Sequence, residues 1–264
     1  MIKLVVSDVD GTLVPEGCNQ INPEVFNTIR KLRSQGIFFA VASGRHKCSV
    51  EKLFAPVKED IIYITSNGAY TGTYNKPLFT APLPKEAYQK LFTDFNEMKD
   101  FPYLAETIER AYTNSTESEF IHLLKDDYNY DLDYKEDMMD FSDEIIKLSL
   151  YHPVNAKDMD PKIMKSWNKV SKCSVSGTHW IDFMAPDINK GVALSRLQET
   201  LGITIHETLA FGDQSNDIEM LKQAYFSFAM ANAVCLVKNA ARFTCDSCEQ
   251  DGVLKTIHRF MEQK

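Results

Sequence analysis

Ile2-Lys3-Leu4-Val5-Val6-Ser7-Asp8-Val9-Asp10-Gly11-Thr12-Leu13 is the stretch from which the rest of the chain is read. Its first half is rich in β-branched and aliphatic residues, the composition of a buried strand. Such a strand delivers two carboxylates, Asp8 and Asp10, to its carboxyl end, where Gly11 allows a sharp turn. In open α/β sheets, ligands sit outside the carboxyl ends of the strands. Two unpaired carboxylates there repel each other, so the arrangement makes most sense if a hard cation shares them. A carboxylate beside such a cation can attack phosphorus, and a second can exchange a proton with the leaving group. Taken alone, the hexapeptide Asp8–Leu13 also reads as a plain turn with an N-cap.

Working outward, the N-terminal third alternates strands and helices. Asn22-Pro23 supplies a cap and a first-turn proline for a helix whose buried stripe is Val25, Ile29 and Leu32, and Gly36 ends it. A second strand is expected over 37–42, a helix over 46–54 and a third strand over 61–65. The pattern resumes in the C-terminal third. Helix 189–201, strand 208–211, helix 215–223, strand 225–230, helix 234–241, strand 243–245 and a closing helix from about 250 follow one another. This is the βαβ signature of a doubly wound parallel sheet, an α/β fold with a Rossmann-like core.

The middle third differs. It is bracketed by Ala81-Pro82-Leu83-Pro84 and Ala185-Pro186-Asp187, which read as a pair of linkers. Between them a helix is expected over 84–99, a strand over 146–152, a helix near 157–168, and strands over 171–176 and 179–184. The expected organisation is a core of residues 1–82 and 187–264 with an inserted α+β module, 83–186, whose two crossings could act as hinges. Residues 126–144 hold nine acids and one lysine. Lacking the mid-loop glycine of a calcium loop, they read as a solvated face.

Composition narrows the functional classes. The 264 residues suit one large domain or two modest ones, and 44% apolar residues suffice for a real core. A net charge of −8 argues against nonspecific binding to nucleic acid or anionic membrane. No apolar run approaches the roughly 18 residues of a membrane span. With a strand starting at residue 2 there is no space for a signal peptide, so a cytoplasmic location is expected. Of six cysteines only Cys245 and Cys248 are close-spaced, which reads as reduced thiols, not a zinc or redox site.

Three further segments repeat the form of the first: strand, small polar residues, helix. Ser43-Gly44-Arg45 places a hydroxyl and a glycine-exposed N–H where a helix would begin, an anion site or a bare N-cap. Lys190, in Asn189-Lys190-Gly191, stands in a helix's first turn, where its charge opposes the macrodipole unless something anionic is near. Gly212-Asp213-Gln214-Ser215-Asn216-Asp217 brings two more carboxylates and an amide to a strand end. With Asp8 and Asp10 these make an oxygen-ligand set suited to Mg²⁺. Each segment is weak alone; together, in this order, they describe a phosphoryl-transfer site.

The four segments resemble the four motifs of the haloacid-dehalogenase superfamily. Asp10, two residues after Asp8, matches its phosphatase branch, which dehalogenases depart from. An insert between the second and third motifs, preceded by Ser66-Asn67-Gly68, resembles the Cof-type (subfamily IIB) phosphatases with a C2-type cap. The resemblance spans the whole chain. It implies that Asp8 is nucleophile and metal ligand, and that Asp10 is general acid/base with its carbonyl on the metal. It further implies that Ser43 and Gly44 bind the phosphoryl group, Lys190 stabilises its charge, Asp213 is a metal ligand, and Asn216 contacts phosphate. Asp217 would orient Lys190 or metal-bound water, with Arg45 and Asn67 as secondary contacts. The implied activity is Mg²⁺-dependent hydrolysis of small phosphorylated metabolites, sugar phosphates foremost. A phosphomutase and a non-catalytic phosphometabolite binder are the alternatives, and the sequence leaves the oligomeric state open.

Overall fold

The computed structural model describes residues 1–16, 18–98, 100–176 and 178–262. The N-terminal run is β1 (Leu4–Ser7), α1 (Pro23–Ser34), β2 (Phe38–Ala42), α2 (Lys47–Leu53), β3 (Ile61–Thr65), β4 (Tyr70–Gly72) and β5 (Pro77–Thr80). The middle run is α3 (Lys85–Glu97), β6 (Tyr103–Glu106), β7 (Ala111–Thr113), α4 (Ser118–His122), β8 (Leu132–Tyr134), β9 (Lys147–Tyr151), α5 (Pro161–Trp167), β10 (Lys172–Ser176) and β11 (Trp180–Met184). The chain closes with α6 (Lys190–Leu201), β12 (Thr208–Gly212), α7 (Ile218–Lys222), β13 (Phe226–Met230), α8 (Cys235–Ala240), β14 (Phe243–Cys245) and α9 (Gly252–Glu262).

Two sheets result. The first runs β14-β13-β12-β1-β2-β3-β4-β5, parallel from β14 to β3 and extended by an antiparallel hairpin, β4–β5. β1 lies at its centre, with Leu4 in register with Thr208 on one side and Phe38 on the other. Successive strands leave β1 first toward β3, then the chain returns on the other side through β12. The crevice between β1 and β12 is therefore the switch point of a doubly wound sheet, where ligands bind. Both faces are covered, and Val5, Val6, Ile29, Phe39, Tyr63, Leu197, Phe211 and Ile257 belong to one continuous apolar core. The α/β core is the architecture expected.

The second sheet runs β10-β11-β9-β6-β7-β8 and is antiparallel except between β7 and β8. Its central strands alternate cleanly. Leu148, Leu150, Ile181, Phe183, Tyr103 and Ala105 pack with Phe92, Phe95 and Trp167 from α3 and α5. The intervening residues, Lys147, Ser149, Asp182 and Glu106, are buried polar groups on the opposite face. The chain crosses from the first sheet at Ala81, whose N–H bonds Ala69, and Leu83, whose N–H bonds Ile145.

Several elements differ from the sequence reading, each for a local reason. The helix expected over 157–168 is a 3₁₀ turn at Ala156–Asp158 followed by α5. Pro161 cannot continue a helix but starts one well, and Asp160 caps it by accepting from Lys162 N–H. The helix expected over 215–223 begins as a 3₁₀ turn, Ser215–Asp217, because the Asp217 side chain bonds the N–H groups of Asp213 and Gln214. The helix expected to reach 99 is described to Glu97, and Lys99 lies outside the described residues. β4, β5, β6, β7, β8 and α4, of three to five residues each, are too short to display a period in the sequence. The acidic stretch holds β8, in which Leu132 is buried between exposed Asp131 and half-buried Asp133, which pair with Lys52 and Arg110; Tyr130 and Met138 are buried on either side of it. The six cysteines are free thiols, and among the described residues no helix is long and apolar enough to cross a membrane.

At Gly191, α6 crosses α7 so closely that an added Cβ would lie 2.5 Å from the Glu219 carbonyl group. Gly191→Ala is expected to destabilise the protein by about 1–3 kcal/mol, because backbone must move apart to admit the methyl. Urea unfolding midpoints of the two proteins measure it.

Candidate active site

β1, β2 and β12 end, and α6 begins, at one point, and each brings one of the four motif segments to it. The Asp8 N–H bonds the Phe211 carbonyl at 3.1 Å, which carries the β1–β12 ladder one residue past the strand and aims Asp8 into the crevice. The backbone then turns at Gly11, whose φ of +77° favours glycine. A Cβ there would lie 2.2 Å from an Asp213 oxygen, so glycine also permits the close approach of the two loops. The Thr12 hydroxyl donates to Asp213 Oδ1 at 3.1 Å, and Asn232 Nδ2 to the Gly11 carbonyl at 2.7 Å.

Lys190 holds the centre. Its Nζ donates to Asp8 Oδ1 at 2.6 Å and to Asp217 Oδ1 at 2.7 Å, and its side chain is 1% exposed. Placement is set by α6, where Asn189 caps the helix through its bond from Val192 N–H. Burial works against the Lys190 charge, but Asp217 and Asp8 outweigh it and hold the ammonium above its ordinary range. Asp217 has both oxygens engaged, Oδ2 accepting from Asp213 N–H at 3.0 Å and Gln214 N–H at 3.1 Å.

The acid set fits a divalent cation. One carboxylate oxygen each of Asp8, Asp213 and Asp217 lies within 4.8 Å of the others, and all three residues are buried. Burial, reinforced by Asp217, pushes the Asp8 carboxyl well above the usual carboxylate range and Asp213 to about 7, despite Lys190. A hard cation at oxygen ligands would remove that repulsion. Asp217 already accepts three bonds, from Lys190 and two amides, which makes Asp8 and Asp213 the freer acids to hold it. The Asp10 side chain turns elsewhere and takes no part in this acidic group.

Asp10 instead meets Arg45. The guanidinium grips both carboxylate oxygens, Nε to Oδ2 at 2.9 Å and Nη2 to Oδ1 at 2.7 Å. Its remaining donors reach Asn19 Oδ1 and the Cys18 carbonyl, and the Tyr128 ring lies 5.8 Å from Cζ. Arg45 therefore sits as the partner of Asp10, with four of its five N–H donors bonded. Ser43 and Gly44 follow β2, the Ser43 hydroxyl accepting from Arg45 N–H at 3.1 Å. Asn67, in the left-handed region at φ 56° directly after Ser66 at φ 49°, packs its amide on Gly44. It accepts from Asn216 Nδ2 at 3.0 Å, so the second and fourth motif segments touch through it. Successive residues held in this sparsely populated region mark a backbone constrained by its surroundings.

The site also contains groups that sequence reasoning missed. From the second sheet, Lys147 Nζ donates to the Gly44 carbonyl at 2.7 Å and pairs with Glu106 at 2.8 Å. Asp182 accepts from Asn67 Nδ2 at 3.0 Å and from the Ser149 hydroxyl at 2.7 Å. Glu106 further accepts from Ser66 and Tyr130. The alternation Lys147-Leu148-Ser149-Leu150 signals a two-faced strand, but nothing in it marks the polar face as buried.

This geometry is that of a phosphoryl-transfer site under a lid. Residues 5–257 match the haloacid dehalogenase-like hydrolase family, and the chain belongs to that family. It is a phosphatase of the Cof-type layout, in which the second sheet is the inserted cap. A relative from Escherichia coli (strain K12), named 5-amino-6-(5-phospho-D-ribitylamino)uracil phosphatase YbjI, is 29% identical over 100% of this chain and 97% of its own length. A solved structure from Eubacterium rectale is 34% identical, with a TM-score of 0.88 over 98% of this chain and 99% of that one. A subclass IIB sugar phosphatase of the same superfamily, 23% identical, shares the fold with a TM-score of 0.82 over 98% of both chains.

The strained acid set has a measurable consequence. A carboxyl raised to about 7 when folded favours the protonated native state, so its stabilising contribution is present at low pH and is lost as pH rises through 7. In EDTA, Asp213→Asn is therefore expected to raise the melting temperature relative to the parent, by more at pH 8 than at pH 5. Thermal unfolding at the two pH values checks it.

Proposed function

We propose that the protein is a cytosolic, Mg²⁺-dependent phosphomonoesterase acting on small phosphorylated metabolites whose leaving groups carry hydroxyls, sugar and polyol phosphates foremost. The observation that carries this reading is the Lys190 ammonium bonded to Asp8 and Asp217 beside Asp213. A binding protein gains little from such an arrangement, which holds one carboxylate as nucleophile and neutralises charge as it develops. The name of the Escherichia coli relative, a phosphate ester on a ribityl chain, agrees with the substrate class.

In this reading residues 1–82 and 187–264 form the catalytic unit and 83–186 the cap. Lys190 tethers Asp8 Oδ1, leaving the second oxygen to attack phosphorus. The P–O ester bond breaks as the Asp8–phosphorus bond forms, and Asp10 gives its proton to the departing oxygen. Water then attacks the aspartyl-phosphate, Asp10 takes up a proton, and orthophosphate leaves. Ser43, the Gly44 amide and Asn216 bind the phosphoryl oxygens. Arg45, which grips both Asp10 oxygens in this structure, must release one of them for the proton to pass, and Asn67 keeps Asn216 and Gly44 in place. Mg²⁺, held by Asp8, Asp213 and the Asp10 carbonyl, would supply charge neutralisation at the phosphoryl group.

Asp8→Asn is expected to leave less than about a hundredth of parental kcat, since an amide cannot form the acyl-phosphate. EDTA should abolish phosphate release from a sugar phosphate, Mg²⁺ should restore it, and Ca²⁺ should do so poorly because it favours longer bonds and higher coordination. Asp10→Asn should damage sugar-phosphate turnover far more than that of p-nitrophenyl phosphate, whose leaving group needs little protonation. Phosphate-release assays on the three proteins test all of this; turnover undiminished in EDTA or in Asp8→Asn would sink the reading.

A further inference from the structure

The loop after β1 and the loop after β12 are tied together by a third loop, which carries none of the four motif segments. Beyond β13 the chain runs through Ala231-Asn232-Ala233-Val234 before α8 begins. Asn232 Nδ2 donates to the Gly11 carbonyl at 2.7 Å, and Val234 N–H donates to the Asp213 carbonyl at 3.1 Å. One short segment thus bonds both of the loops that carry metal-ligating acids. The Asn232 amide is engaged at both ends, because its Oδ1 accepts from Cys248 N–H at 3.1 Å. That second bond orients the amide and keeps Nδ2 turned to Gly11.

We propose that Asn232 is a positioning residue for the divalent cation, holding Gly11 so that the groups on either side of it keep the geometry the ion needs. The inference rests on the Mg²⁺-dependent phosphatase reading and deepens it, giving a residue outside the four motif segments control over metal affinity. Gly11 is the pivot. Its N–H donates to the Val14 carbonyl at 2.7 Å, so Asn232 completes the bonding of its peptide groups. The peptide that Gly11 shares with Asp10 carries the Asp10 carbonyl. On the other side, Gly11 packs so closely on Asp213 that an added Cβ would lie 2.2 Å from its Oδ2. A shift of Gly11 therefore moves the Asp10 carbonyl and the support of the Asp213 carboxylate together. Mg²⁺ demands near-ideal octahedral geometry at about 2.0–2.1 Å, so small displacements of its ligands weaken it. Losing a hydrogen bond that orients metal ligands costs about 10–100-fold in affinity.

Calorimetric titration of Mg²⁺ into the parent and into Asn232→Ala, with no substrate present, tests it without turnover. The substitution should weaken Mg²⁺ binding about tenfold. Asn232 is an exposed residue, so the melting temperature in EDTA should stay within about 2 °C of the parent. The rise in melting temperature on adding Mg²⁺, taken against each protein's own value in EDTA, repeats the comparison and holds even for a less stable variant. An asparagine that only secured the turn at Cys248 would lower the EDTA melting temperature and leave Mg²⁺ affinity within about twofold of the parent. That result overturns the proposal while the metal reading stands. Failure of the parent itself to bind Mg²⁺ would remove the metal reading, and the proposal with it.

Discussion

The ammonium of Lys190 is the group around which the catalytic core is organised. Buried among carboxylates, it is what allows Asp8 and Asp217 to share one small volume. A buried charge survives only when paired and hydrogen-bonded, and here each partner is also held by backbone: Asp8 by the extended β1–β12 ladder, Asp217 by two amides of its own loop. One cation from α6 thus couples β1 to β12 at the switch point. The charge count is deliberately unbalanced, because Asp213 brings a third acid that Lys190 alone does not neutralise. That imbalance is what gives a divalent ion a reason to bind.

Much of this is legible in the sequence. Strand ends carrying Asp, Gly, Ser or Lys at helix starts are rare enough in combination that four of them in order define the core. The partner of Arg45 was not legible. Asp10 lies 35 positions away, and the two meet only because β1 and β2 pair in parallel with Ser7 opposite Val41, which brings the loops beyond both strands side by side. The short strands β6, β7 and β8 escaped because three or four residues display no period, and tertiary pairing decides them. Lys147 and Asp182 are ordinary polar residues in their own strands. Their meaning arises only when the cap sheet lies on the phosphate loop, a contact that no local pattern encodes.

The cap itself is divided by the pleat. One face of β6, β9 and β11 supplies the apolar contacts that α3 and α5 cover, including Phe95, Trp167 and Phe183. The other face carries charge. A sheet with this composition cannot stand alone in either orientation without exposing apolar groups or burying ions unpaired. Its polar face is completed by backbone and side chains of the core, among them the Gly44 carbonyl, Ser66 and Asn67.

Asn67 is bonded to Asn216 on one side and Asp182 on the other. Asp8, at 5% exposure, and Ser43, at 1%, lie beneath the contacts that the second sheet makes with the core loops. Because Asn67 and Gly44 belong to the anion loop and to the cap contact at once, occupancy and closure are thermodynamically linked, and the linkage is reciprocal. Whatever factor closure adds to anion affinity, a bound anion adds to closure. Were the cap to open and close over that loop, orthophosphate, the anion that remains after each cycle, would hold it down as the ester did, and the rate of reopening would be a ceiling on turnover set by the core–cap contacts.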